Sequence, residues 1–173
     1  MKTLFLLLVL LTSGLASAQK FSSAVEYNDH IVNLQNEIGY KMIAFNDQVG
    51  GENSTLEQVQ PYFDELLSTT RDVIKRLEKV TPWDKNTELK SAALELFRFY
   101  EVTIDRDYRE MVDIVYKSDL TDEDYARLTE ILAKVTEDEK AYDNRFQAAQ
   151  NAFADKYGFD LEQNELQDEL DGE

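Results

Sequence analysis

The chain has 173 residues, a formal net charge of −17, a single histidine and no cysteine. This excess of negative charge disfavours binding to nucleic acid or anionic lipid, and it favours cations or basic partners. The absence of cysteine excludes disulfides, thiolate metal sites, iron–sulfur clusters and cysteine nucleophiles.

The N-terminus has the pattern of a secretory signal peptide. Lys2 precedes an apolar run from Leu4 to Leu11, and the residues ASA at 16–18 fit an A-x-A cleavage site. The apolar run is too short to anchor the chain across a bilayer. We therefore predict a signal peptide over residues 1–18 and export to the periplasm, the cell surface or the extracellular space. No later stretch reaches the ~20 apolar residues of a membrane span, so we expect no membrane insertion after removal of the leader.

Beyond the leader, apolar residues recur with the period of a helix through two predicted segments. The first spans residues 22–49 and is followed by two glycines. Ser54 and Glu57 have the spacing of a capping box and are expected to start the second helix, which runs to Val80. Pro61 is expected to kink this helix or to divide it in two.

The same period predicts two more helices. Asn86 or Thr87 is expected to cap the third, which continues to Lys117. Thr121 and Asp124 form another capping box and start the fourth. The apolar stripe of the third helix is widened by Phe97 and Ile114, and that of the fourth begins with Tyr125, Leu128, Leu132 and Val135. Both stripes are expected to face the core of the protein.

These segments predict an all-α fold. The fourth helix is expected to end at Gly158, a typical C-cap residue. Four long amphipathic helices joined by short connections pack best as an up-down-up-down four-helix bundle, here over residues 19–159. Residues 160–173 contain seven acidic and no basic residues, so we predict a short acidic C-terminal tail.

Three stretches carry a resemblance to known proteins. They are AVEYNDHIVNLQNEI (24–38), LELFRFYEVTIDRDYREMVDI (94–114) and FQAAQNAFADKYGFDLEQNELQDEL (146–170). In these stretches the chain resembles a family of exported bacterial surface proteins of unknown function, found in Bacteroidota and Leptospira. The resemblance covers nearly all of the chain after the leader. It implies an exported or surface location, and it assigns no catalytic or binding residue.

His30 is the residue with the most obvious metal or proton-transfer chemistry. It lies at the edge of the apolar face of the first helix, four residues after Glu26, so a half-exposed histidine close to Glu26 is expected. A metal held by these two side chains would need ligands from another helix. Di-iron bundles need two Glu-x-x-His units and zinc sites need several His or Cys ligands, so one histidine is too few. We predict no metal site, no cofactor and no enzymatic activity.

Polar residues interrupt the apolar faces at one level of the predicted bundle. The depth of each residue can be counted from the end of the bundle that holds the first and third connections. By this count one layer contains Gln35, Thr70, Tyr100 and Glu139, and Asp107 lies nearer that end. A buried carboxylate is costly unless it is paired and hydrogen-bonded, so Glu139 must find donors. The layer is expected either to fix the register of the helices, or to form a small cavity that binds a cation or a polar ligand.

Two functions remain open from the sequence. The first is a non-enzymatic module of the cell envelope that acts through contact with a protein partner. The second is a binding module that holds a metal ion or small polar ligand at the layer of Gln35, Thr70, Tyr100, Glu139 and Asp107. A carboxylate-based hydrolase is a third and weaker interpretation. A contact module should show a filled core and an exposed apolar patch, whereas a binding module should show acids that converge on a cavity.

Overall fold

The computed structural model describes residues 20–162, and these residues form an all-α four-helix bundle. No strand occurs between residues 20 and 162. The predicted signal peptide and most of the predicted acidic tail lie outside the described residues. Within the described range, no helix is both long enough and apolar enough to cross a membrane.

The first two helices are α1 (Ala24–Val49) and α2 (Leu56–Lys79). Ser23 caps α1 by accepting a hydrogen bond from the backbone N–H of Glu26 at 3.1 Å. The capping box of α2 consists of Thr55 and Gln58, so the expected box of Ser54 and Glu57 is wrong by one residue. The Ser54 hydroxyl instead meets the hydroxyl of Tyr116 at 2.8 Å and joins the two connections at this end of the bundle. Pro61 lies in the second turn, and α2 continues through it without a break.

The third rod of the bundle contains three segments. It begins as α3 (Glu88–Val102), continues as a π-helical turn (Thr103–Tyr108), and ends as α4 (Arg109–Val115). The sequence predicted one uninterrupted helix to Lys117 and missed this turn. At its start, the Asn86 side-chain oxygen accepts the N–H of Glu88 at 3.0 Å. Thr87 occupies the N-cap position without a side-chain hydrogen bond.

The fourth rod is α5 (Asp122–Tyr157), the longest helix described. Its capping box of Thr121 and Asp124 forms as predicted. Gly158 ends the helix with φ 71°, a left-handed conformation that favours glycine because it has no Cβ. The sequence therefore located both ends of this helix correctly.

The four rods do not pack equally. The α1–α2, α2–α3 and α3–α5 interfaces are extensive, whereas α1 and α5 approach each other at few positions. Where they do meet, the Tyr27 and Phe153 rings lie 5.5 Å apart and Gln150 donates a hydrogen bond to Asn28 at 3.0 Å. The bundle thus has one open edge, between its first and last helices.

The buried apolar residues of the described chain form two clusters. The main cluster joins α1, α2, α3 and the second half of α5, which contributes Phe146 and Phe153. The smaller cluster consists of Ile114 from α4 with Ile131 and Val135 from the first half of α5. The first half of α5 therefore depends on few buried contacts.

Candidate functional site

The predicted polar layer is spread over several environments. Thr70 is fully buried, and its hydroxyl donates to the backbone oxygen of Leu66 at 2.9 Å within the same helix. Gln35 is buried on α1 and borders a groove between α1 and α5. Tyr100 is half-buried, with its ring 6.5 Å from that of Phe97. Glu139 is half-buried on α5, rather than buried as its position on the apolar face implied.

Two of the five predicted site residues, Glu139 and Asp107, influence the pKa of one side chain, Tyr108. Burial, together with the negative charges of Glu139 and Asp107, raises the pKa of the Tyr108 hydroxyl to about 12. The ring of Tyr108 is also stacked on Phe45 of α1, with centroids 6.2 Å apart. Tyr108 is therefore a neutral side chain at neutral pH that links α1 to the π-helical turn.

Asp107 is the most buried charged residue of the described chain, with 5% of its surface exposed. Its carboxylate accepts two hydrogen bonds from Arg106, at 2.9 and 2.7 Å, and lies 3.8 Å from the amine of Lys134 on α5. The hydrogen bonds from Arg106 lower the pKa of Asp107, although burial opposes them. This pairing satisfies a buried carboxylate and ties the π-helical turn to α5.

His30 is half-exposed as expected, but it does not define a metal site. Glu26 accepts hydrogen bonds from the backbone and hydroxyl of Ser22, both at 2.6 Å, so it is engaged away from the histidine. Burial lowers the pKa of His30, and the charge of Arg76 adds to this effect. Between residues 20 and 162, no group of three or more His, Cys, Asp or Glu side chains is arranged to hold a metal ion.

A strip of apolar side chains on α5 is exposed although the sequence predicted it to be core. Tyr125 is 57% exposed and Leu132 is 50% exposed, and we call these two residues the α5 strip; Leu128 on the same predicted face is half-buried against the small cluster. The prediction failed because a helical period identifies an apolar face but does not show whether a neighbour covers it. Ile131 and Val135 are covered by α4, whereas the strip lies on a different side of α5.

The direction of the α5 strip follows from helix geometry. At 3.6 residues per turn, Tyr125, Leu132 and Glu139 fall within about 40° of Asp143 and Gln150. Those last two residues line the groove that faces α1. The strip therefore lies on the α1 side of α5, along the open edge of the bundle.

The groove at this open edge has a volume of about 590 Å³ and is rich in side-chain amides. Gln147 donates to Asp143 at 2.6 Å, and Asn28 bridges to Gln150 and Asp29 at 3.0 and 3.3 Å. The open edge is thus polar beside the start of α1 and apolar beside the start of α5.

A second groove, of about 730 Å³, lies between α3, the π-helical turn and α5. Four basic side chains line it, and we call it the cationic groove: Arg98, Arg106, Lys134 and Arg145. The sequence did not reveal it, because the four residues come from α3, the π-helical turn and α5. A partial signal was present, since Lys134 and Arg145 are three turns apart on one face of α5.

Comparison with protein-family models, curated proteins and solved structures gives no match for this chain. Function must therefore be inferred from the molecule itself. Its candidate sites are the open edge with the α5 strip and the cationic groove on the other side of α5.

Proposed function

We propose that the protein is an exported, non-enzymatic helical bundle that acts by binding a protein partner along the open edge between α1 and α5. The observation that carries this proposal is the exposure of Tyr125 and Leu132, at 57% and 50%, on the side of α5 that faces this edge. Large apolar side chains that share one exposed face are typical of contact surfaces. The pattern of residues 1–18 and the family resemblance support export, and a mature chain that begins near Gln19 would be its direct sign.

Further exposed apolar residues extend the surface at the same end of the bundle. Val115 and Leu120, at the connection between α4 and α5, are each 37% exposed, and Leu56 at the start of α2 is 42% exposed. The connections that carry them meet through the bond between Ser54 and Tyr116. An incoming partner would therefore find apolar groups on two adjoining connections as well as on α5.

The surroundings of the strip define the chemistry of the partner. Asp122 lies one turn before Tyr125, Glu139 lies two turns after Leu132, and Asp47 is exposed on α1. In a chain of net charge −17, these carboxylates favour a partner that carries cations beside its apolar residues. An amphipathic helix with a leucine stripe and basic flanks fits both features, since it can lie along the open edge beside α1 and α5.

The proposed contact can be tested with a defined probe, an amphipathic peptide of leucine and lysine about 18 residues long. We expect Tyr125→Asp with Leu132→Asp to raise the Kd of this peptide by at least about tenfold, because both apolar anchors are lost. Tyr62→Asp is the matched control, since Tyr62 is 39% exposed but lies on α2, which does not form the open edge. The control should bind like the wild type.

Each outcome of the titration decides the proposal. Equal affinity in all three proteins would mean that charge alone attracts the peptide, and it would overturn the assignment of the contact to the strip. A loss of affinity in the Tyr62→Asp control as large as that in the double variant would do the same. Circular dichroism of each variant checks that the helices remain intact.

A further inference from the structure

The cationic groove stands out electrostatically in this acidic protein. Its four basic side chains pair with four carboxylates, Glu78, Glu95, Asp107 and Asp138, so the groove is close to neutral. The chain as a whole carries −17. A nearly neutral groove that offers guanidinium and ammonium donors therefore suits a negatively charged ligand better than the acidic surface of the rest of the chain.

An aromatic pair forms part of the groove. The rings of Phe99 and Tyr142 are stacked, with centroids 4.6 Å apart and planes inclined by 17°. The guanidinium of Arg145 lies 4.3 Å from the centre of the Tyr142 ring. Val102, beside them, is 52% exposed. The groove therefore offers flat apolar surface next to its positive charge, a combination that suits a flat ligand with an anionic end.

Carboxylates fix two of the cations in place. Asp107 holds Arg106 through two hydrogen bonds, and Asp138 accepts a hydrogen bond from Lys134 at 2.9 Å, so both side chains are oriented before a ligand arrives. The π-helical turn supplies Thr103 and Arg106 to the groove wall, and such turns occur frequently at functional sites. Groups that are already positioned bind a ligand with a smaller loss of conformational entropy.

The other two cations are held more loosely. Arg98 donates one hydrogen bond to Glu78 at 2.8 Å, and Arg145 donates one to the backbone oxygen of Ala141 at 3.1 Å and lies 3.8 Å from Glu95. Each guanidinium has five donors in a planar fork, so both retain donors for a carboxylate in the groove. Their side chains are about half exposed, at 55% each, which leaves them room to turn towards a ligand.

From these features we propose that the cationic groove binds a small organic anion with a flat apolar body, of the class of aromatic carboxylates. The carboxylate accepts hydrogen bonds from Arg106 and Lys134, while the ring packs against Phe99 and Tyr142. Arg98 and Arg145 close over the bound anion. This site is independent of the proposed protein contact, because it lies on the α3 side of α5 and shares no residue with the α5 strip.

Titration of the full chain with 2-naphthoate tests this site by calorimetry. We expect saturable binding that weakens as salt is added, and a Kd at least about tenfold higher in the double variant Arg98→Gln, Arg145→Gln. Arg127→Gln is the control, because Arg127 is on α5 but pairs with Glu110 and Glu130 outside the groove. It should leave the Kd unchanged.

Two further probes separate the roles of charge and ring. Uncharged 2-naphthalenemethanol and inorganic phosphate should each bind at least about tenfold more weakly than 2-naphthoate, because each lacks one half of the recognised chemistry. Val102→Glu should also weaken naphthoate, since it adds a negative charge at the groove without changing a buried residue. This variant keeps the test decisive if the double arginine variant folds poorly.

Several results would overturn the proposal. They are the absence of saturation by naphthoate at millimolar concentration, unchanged affinity in both groove variants, or tight binding of the uncharged alcohol. An acidic peptide containing tryptophan that binds the same residues more tightly than naphthoate would also overturn it, since the natural ligand class would then be a protein segment.

Discussion

At the scale of single residues, the structure separates polar side chains that stabilise the bundle from those that face a ligand or partner. Thr70 is buried but bonded to its own helix, so it fits an apolar environment without a partner from another helix. Asp107 is buried and bonded to cations from the π-helical turn and from α5. Glu139 remains half-exposed beside the open edge. Only the last of these three is placed to meet an incoming molecule.

Replacement of Asp107 by asparagine measures the strength of the buried ion pair. We expect Asp107→Asn to lower the free energy of unfolding by about 2 kcal/mol at neutral pH, because Arg106 and Lys134 lose their buried counter-charge. Asp105→Asn is the control, because Asp105 pairs with Arg71 and Arg109 at the surface, where its side chain is 42% exposed. The control should leave the free energy of unfolding close to the wild-type value, because surface ion pairs contribute little in water. Urea unfolding of both variants gives the comparison.

The pH dependence of the Asp107 effect has a definite sign. The hydrogen bonds from Arg106 hold the pKa of Asp107 below its usual value of 3.8 in the folded state. The ionised form is thus favoured by folding, and its contribution is complete well above pH 3.8. The difference between wild type and Asp107→Asn should shrink as the pH falls through this acidic range. A difference that grows on acidification would contradict the assigned ion pair.

At the scale of helices, capping shows how local chemistry sets the ends. Thr121 and Thr87 occupy equivalent N-cap positions, yet only the Thr121 hydroxyl bonds to its helix. We expect Thr121→Ala to lower the free energy of unfolding by about 1 kcal/mol, and Thr87→Ala to change it by less than about 0.3 kcal/mol. Thermal unfolding of the two variants makes the measurement. Equal losses would show that the hydroxyl bond does not determine the effect.

Predictions from the sequence succeeded where the signal was local. Thr121 and Gly158 were identified correctly because a capping box and a left-handed glycine depend on a few neighbouring residues. The box of α2 was misplaced because two spacings compete there: Ser54 with Glu57, and Thr55 with Gln58. The sequence contains both patterns, and only the folded backbone selects one.

Features that depend on packing between helices were not readable from the sequence. The π-helical turn adds one residue to a helical turn, so the spacing of its apolar residues is nearly that of an α-helix. The apolar pattern therefore does not distinguish the two. The cationic groove forms only when Arg106 and Lys134 meet from separate helices around Asp107. The exposure of Leu132 depends on the wide separation of α1 from α5, which no residue of α5 encodes alone.

At the scale of the whole molecule, the two apolar clusters divide α5 into halves of different stability. Phe146 and Phe153 tie the second half to the main cluster, which also contains α1, α2 and α3. The first half buries only Ile131 and Val135 against Ile114. Its surface ion pairs, such as Arg127 with Glu110 at 2.6 Å, contribute little in water. The first half of α5 should therefore unfold locally more readily than the rest of the bundle.

Native-state hydrogen exchange tests this division. We expect amides of residues 125–135 to exchange through local opening at a lower free energy than those of residues 146–154. Ile131→Ala should lower that opening energy by about 2–4 kcal/mol in the first half while leaving the second half nearly unchanged, because it removes a buried side chain only from the small cluster. Phe153→Leu is the opposite control, since it weakens the main cluster and should accelerate exchange in the second half.

Local opening of the first half of α5 also affects the proposed protein contact. The α5 strip lies on the less stable half, so a partner that binds Tyr125 and Leu132 should slow exchange most strongly at residues 125–135. A ligand in the cationic groove contacts Lys134 and Tyr142 and should protect the junction between the halves instead. Uniform exchange along the whole of α5, before and after adding either probe, would show that the helix behaves as one cooperative unit and that the two clusters are not independent.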